Sequence, residues 1–173
     1  MKKILCLHVA VALLLTACTS RNQQAVKKIK ALEKEIFTPT SPGISVEKGE
    51  LLSSTYLTFV KDFPQDSLAP VYLFKAAEVK AGIGKAKEAV ELYKDVYTKY
   101  PNSSKADYSL FLEAFVSENQ LKDTAYAKQI YSKFLSLYPK HPLRQDVLFS
   151  LAHMGKSDAD ILKSIEQKKD SIK

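Results

Sequence analysis

Apolar side chains at Ala25, Ile29, Leu32 and Ile36 recur in alternating steps of four and three, which brings them onto one face of an α-helix. Two heptads fall short of the three or four that specify a coiled coil. This helix is therefore expected to lie on the rest of the domain, with self-association through the same face as the alternative. Thr38-Pro-Thr-Ser-Pro-Gly43 then places two prolines and a glycine in six residues and breaks the chain. From Ser45 onward the pattern predicts helices near 46–62, 67–82, 85–100, 104–119, 123–138, 142–154 and 158–168, joined by short loops such as Gly82-Ile-Gly84. The fold class is all-α.

The helix ends carry a repeat. Pro64, Pro101 and Pro139 are spaced 37 and 38 residues apart, and each follows an aromatic residue: Phe63, Tyr100 and Tyr138. A proline lacks the N–H that would continue the ladder and biases the residue before it away from helix, so a helix stops there. Tyr56, Tyr93 and Tyr131 lie eight residues before the three prolines, on the face expected to be buried. Leu73-Phe74, Leu110-Phe111 and Leu148-Phe149 lie nine and ten after them, and Ala77, Ala114 and Ala152 thirteen after. The alanines are expected where antiparallel helices approach too closely for a larger side chain. Ser104 three before Asp107, Pro142 as a first helical residue, and Ser157 three before Asp160 are the expected helix starts.

Ala89-Tyr93-Pro101 and Ala127-Tyr131-Pro139 place an aromatic residue four after alanine and proline twelve after it, and Leu52-Tyr56-Pro64 repeats the spacing with leucine first. This resembles the tetratricopeptide repeat. The resemblance implies an α-solenoid of antiparallel helical hairpins, about three repeats here, that binds a protein partner along the concave side formed by the first helix of each hairpin. The stretch from Tyr100 to Ala114 is similar to the repeats of the BamD family of outer-membrane assembly lipoproteins. Ala77, Ala114 and Ala152 stand where the repeat usually has glycine.

The N-terminus adds a compartment. Met1-Lys2-Lys3 is a short positive region, and Ile4 to Leu15 is a twelve-residue apolar stretch, too short for the roughly 20 residues that span a bilayer as a helix. Leu15-Thr16-Ala17-Cys18 resembles the lipobox of bacterial lipoproteins, which implies cleavage before Cys18 and acylation of its thiol and new N-terminus. An ordinary secretory leader is the alternative; it would leave an odd reactive thiol in an oxidising space. Several acyl chains give durable anchoring where one gives only marginal binding. Thr19 and Ser20 are not the aspartate that retains enteric lipoproteins in the inner membrane, so the resemblance favours the outer membrane, facing the periplasm. The expected division is 1–17 signal peptide, 18–44 lipidated tether and amphipathic helix, and 45–173 repeat domain.

Composition narrows the chemistry. The two cysteines, Cys6 and Cys18, both precede the folded part, which leaves it no disulfide and no thiolate metal site. The formal charge of +7 falls to +5 once Lys2 and Lys3 leave, and the remaining bases alternate with acids along the helices, as in Lys27-Lys28-Ile29-Lys30 followed by Glu33 and Glu35. No basic stripe for nucleic acid results. Glu and Asp fall at helix-supporting spacings from lysine, such as Glu88 with Lys85 and Glu91 with Lys87, and are read as solvated faces. His141 and His153 stand apart without carboxylates at ligand spacing, and no Gly-rich phosphate loop, GxSxG or HExxH occurs. Neither an enzyme, a metal site nor a cofactor is expected.

A binding groove would be lined by Val71, Phe74 and Glu78, then Tyr108, Phe111 and Phe115, then Asp146, Phe149 and His153. Phe74, Tyr108, Phe111, Phe115 and Phe149 are the candidate partner-binding anchors. The competing reading makes the same phenylalanines core. A second functional class, a module contacting peptidoglycan or glycan, requires Tyr72, Tyr97 or Tyr108 to be exposed for stacking.

Overall fold

The structure is a computed structural model that describes residues 21–38 and 43–156. The leader, Cys18, the prolines of the 38–43 break, and the expected helix at 158–168 with its Ser157/Asp160 start lie outside the described residues. Helix α1 covers 21–36, and α2 (Val46–Asp62), α3 (Ala69–Gly82), α4 (Ala86–Lys99), α5 (Ala106–Asn119), α6 (Thr124–Leu137) and α7 (Arg144–His153) follow. The described residues contain no strand, so the all-α class is observed. No described helix is long and apolar enough to cross a membrane.

The chain divides into two compact units, residues 1–85 and 86–173. In the first, α1 lies on α2 and α3. Asn22 donates to Asp66 just beyond the end of α2, and Glu33 accepts from Tyr56 in the middle of α2, so α1 and α2 run antiparallel. Ile29 and Ile36 are 1% and 3% exposed, so the face that could have formed a coiled coil is covered within the unit. Leu52, Tyr56 and Phe59 form the buried stripe of α2, at the same steps of four and three. Helix α3 is apolar around most of its circumference and largely buried, as such helices are. Gly49 sets the distance between α2 and the end of α3: a Cβ there would fall 2.5 Å from Ile83 Cγ2.

In the second unit α4 packs on α5, α5 on α6 and α6 on α7. Leu110, Ala114, Ala127, Ile130, Tyr131, Phe134 and Val147 form its main cluster. Ala77 and Ala114 are fully buried, as the close-approach reading expects. Ala152 is exposed and marks no such approach.

The helix starts differ from expectation in an instructive way. Helix α5 begins at Ala106 behind Lys105, with no capping bond from Ser104, and Pro142 lies in a turn ahead of α7, which begins at Arg144. What repeats instead is a turn built on the residue two after each proline. Asp66 Oδ1, Ser103 Oγ and His141 Nδ1 accept from the backbone N–H of Leu68, Lys105 and Leu143 at 2.8, 3.1 and 3.1 Å. In each case the same residue's N–H donates to the carbonyl of the aromatic before the proline, at 3.0, 3.0 and 3.1 Å. Three different side chains serve one position because each carries an acceptor at the right reach. Side-chain caps of the ordinary kind occur at α2, where Ser45 accepts from Lys48 N at 3.3 Å, and at α6, where Asp123 accepts from Tyr126 N at 2.9 Å.

Candidate protein-binding surfaces

Spacings of three and four put Tyr108, Phe111 and Phe115 on one side of α5, and the structure brings them together. The Phe111 ring lies 6.0 Å from that of Tyr108 and 6.1 Å from that of Phe115. Phe111 is half-buried and also meets Tyr131 and Phe134, both at 6.1 Å, so it ties the row to the core. Tyr108 and Phe115 flank it at 41% and 43% exposure. On α7, Phe149 is 51% exposed and its ring stands 4.1 Å from His153, whose Nδ1 is 2.8 Å from the Phe149 carbonyl. Among the described residues, unit two thus leaves aromatic surface at Tyr108, Phe115 and Phe149 partly exposed. Phe74 is corrected: at 3% exposure it is a buried residue, not a surface anchor, because α3 is covered on most of its faces.

Of the three candidate tyrosines for glycan stacking, the structure exposes one. Tyr72 is buried, its ring 5.4 Å from that of Tyr56 at 15°. Tyr97 is half-buried with the Lys133 ammonium 4.4 Å over its ring, which leaves Tyr108 as the exposed member of the three.

The acids are not all solvated, and here the sequence reading is overturned. Glu113 has no exposed surface. Tyr126 donates to its Oε1 at 2.6 Å, while Oε2 has no hydrogen-bond partner among the described residues. Burial pushes the carboxyl up; hydrogen bonding from Tyr126 and Tyr97 and the charges of Lys133 and Lys94 oppose this without reversing it. Tyr97 and Tyr126 are themselves pushed up by burial and by the glutamate. The signal was present in the sequence: Leu110, Glu113, Ala114 and Ser117 fall at helical spacing on the buried side of α5, and Glu113 occupies the column of Ala76 and Leu151.

In unit one the acids have cations. Glu33 Oε1 accepts from Lys75 Nζ at 2.6 Å and from Tyr56 OH at 2.7 Å. Burial raises the Glu33 carboxyl, but these bonds and the charges of Lys75 and Lys30 outweigh it and leave the group below the usual range. Glu50 lies between Lys80 at 2.8 Å and Lys85 at 2.5 Å, and their hydrogen bonds lower its carboxyl. Lys80 keeps its stem buried while its ammonium reaches Glu50.

His141 serves a turn. Its Nδ1 accepts from Leu143, so the ring proton sits on Nε2, 3.2 Å from Asp107 Oδ2. Among the described residues no three His, Cys, Asp or Glu gather as metal ligands.

No curated protein and no solved structure gives a significant match to the chain. The tetratricopeptide-repeat family model matches residues 72–103 and 108–141, which take in most of α3 with α4 and most of α5 with α6. The helices, the aromatic-proline turns after α2, α4 and α6, and this match give the chain a tetratricopeptide-like all-α fold, and repeats of that family are known as protein-binding scaffolds.

Proposed function

We propose that the protein is a lipid-anchored scaffold of the bacterial cell envelope that binds a protein partner through the aromatic row of α5, accessory to outer-membrane or envelope assembly. The observation that carries the reading is Tyr108 and Phe115 standing in solvent on either side of a core-anchored Phe111. Aromatic side chains held in place by packing lose little freedom on docking, which suits them as anchors. The lipobox-like Leu15-Thr16-Ala17-Cys18 supports anchoring through Cys18, and Thr19 and Ser20 favour the outer membrane. Binding is the whole mechanism.

The test is crosslinking in the native envelope followed by affinity purification. The wild type is compared with Tyr108→Asp/Phe115→Asp, whose exposed positions spare the fold, and with Cys18→Ala. A protein partner lost in the double variant, and release of the Cys18→Ala protein from the membrane fraction, are expected. An unchanged partner list sinks the α5 surface, and retention of the Cys18→Ala protein on the membrane sinks the lipid anchor.

A further inference from the structure

A pocket of about 690 Å³ opens between α1, α2 and α3, on residues that the aromatic row does not use. Its volume lies within the range of roughly 300–1,000 Å³ typical of ligand sites. Tyr56, Val79 and Ile44 supply apolar lining, and Phe37, 57% exposed, forms a wall. Gly82 recesses the opposite side: no atom lies within 4 Å of where its Cβ would be.

The rim is basic in a specific sense. Lys30 and Lys34, one helical turn apart on α1, line the pocket with exposed side chains, and neither forms an ion pair among the described residues. The acid between them, Glu33, is already held by Lys75 and Tyr56. The pocket is lined by three lysines, Lys30, Lys34 and Lys75, against two acids, Glu33 and Glu78, and an apolar recess with this excess of ammonium groups complements an apolar side chain flanked by carboxylates.

We propose that this pocket binds an acidic peptide segment of a partner protein, with one large apolar side chain against Tyr56 and Val79 and neighbouring Asp or Glu residues on Lys30 and Lys34. The inference deepens the protein-binding reading and rests on it, but through other residues.

The probes are fluorescein-labelled octapeptides with central Phe, Leu, Ile or Tyr and Asp/Glu flanks. The controls are a matched set with Lys flanks and one with Ser at the centre. Fluorescence anisotropy with the full chain should show the best acidic, apolar-centred peptide binding at least tenfold tighter than either control, and more weakly as salt rises. Lys30→Glu/Lys34→Glu should weaken it tenfold or more. Gly82→Leu, which fills the recess and leaves every charge in place, should weaken it comparably. Circular dichroism verifies that both variants are folded. The proposal is overturned if acidic peptides bind no better than their Lys-flanked counterparts, if either variant binds as the wild type does, or if dodecanoate alone occupies the pocket. Partner capture that survives Lys30→Glu/Lys34→Glu and is lost with Tyr108→Asp/Phe115→Asp keeps the α5 reading when the pocket fails. The reverse pattern keeps the pocket and removes α5.

Discussion

Each unit holds a glutamate that takes a hydrogen bond from a tyrosine of a neighbouring helix, Glu33 partly buried and Glu113 fully so, and the two shift in opposite directions. Glu33 receives Tyr56 at 2.7 Å and Glu113 receives Tyr126 at 2.6 Å, so the tyrosine bond does not separate them. Burial raises both. The difference is a cation within bonding distance: Lys75 Nζ stands 2.6 Å from Glu33, whose side chain keeps 22% of its surface in solvent. At Glu113 the lysines act only at longer range, and Lys133 holds its ammonium over the Tyr97 ring. A buried carboxylate with one bonded oxygen thus remains costly to ionise, whereas the same carboxylate with a direct ammonium partner and some water does not.

The largest effect expected from breaking this contrast is at Tyr126. Tyr126→Phe removes the hydrogen bond to Glu113 Oε1 and leaves a fully buried carboxyl still less satisfied, which should cost about 2 kcal/mol. Urea unfolding of the full chain, with hydrogen exchange resolved over residues 106–137, measures it. A loss under about 0.5 kcal/mol would mean that water or relaxation satisfies the group, contrary to its burial.

Glu113→Gln comes next and tests sign rather than size. Because the folded group is raised above the unfolded 4.5, the folded state holds the proton more tightly. This contribution stabilises the protein below pH 4.5 and is lost as pH rises through the folded pKa. The amide keeps an acceptor for Tyr126 and carries no charge. Its stability should equal or exceed that of the wild type at neutral pH and lack that decline. A variant with the wild-type pH slope would assign the slope to other groups.

Much of this was legible in the sequence, and the rest failed for identifiable reasons. Helical periodicity, with aromatic-proline punctuation after α2, α4 and α6, placed all six helices from α2 to α7 within two residues of their observed ends, because proline acts on its own backbone and needs no tertiary information. The cap residues were misread at α5 and α7. A turn acceptor can be Asp66, Ser103 or His141, and residue type hides what position shares. Phe74 looked like Phe111 and Phe149 in its column, but whether a phenylalanine is covered depends on the neighbours of its helix, which a repeat spacing does not contain. Glu113 was assigned to solvent by residue type although its helical position put it inside.

In unit one the tyrosine is partly redundant. Tyr56→Phe should cost about 1 kcal/mol, less than Tyr126→Phe, because Lys75 still holds Glu33. Equal losses at the two tyrosines would remove the cation from the explanation of their difference.

The smallest effect, at Lys75, isolates that cation. Its side chain is 39% exposed, so the pair with Glu33 is worth only about 0.5 kcal/mol at neutral pH. Methionine keeps most of the stem that lies near the Tyr56 and Tyr72 rings and removes the charge. Glu33 is lowered in the folded state, so its contribution is present above the unfolded 4.5 and is lost as pH falls through the folded pKa. The stability difference between wild type and Lys75→Met should therefore be present at pH 7 and vanish in acid, while the Glu33 carboxyl, followed by carbon-13 chemical shift, titrates at higher pH in the variant. If the difference persists undiminished below the folded pKa, Lys75 acts on unit one by packing. The lowering of Glu33 would then rest on the Tyr56 hydrogen bond and the charge of Lys30.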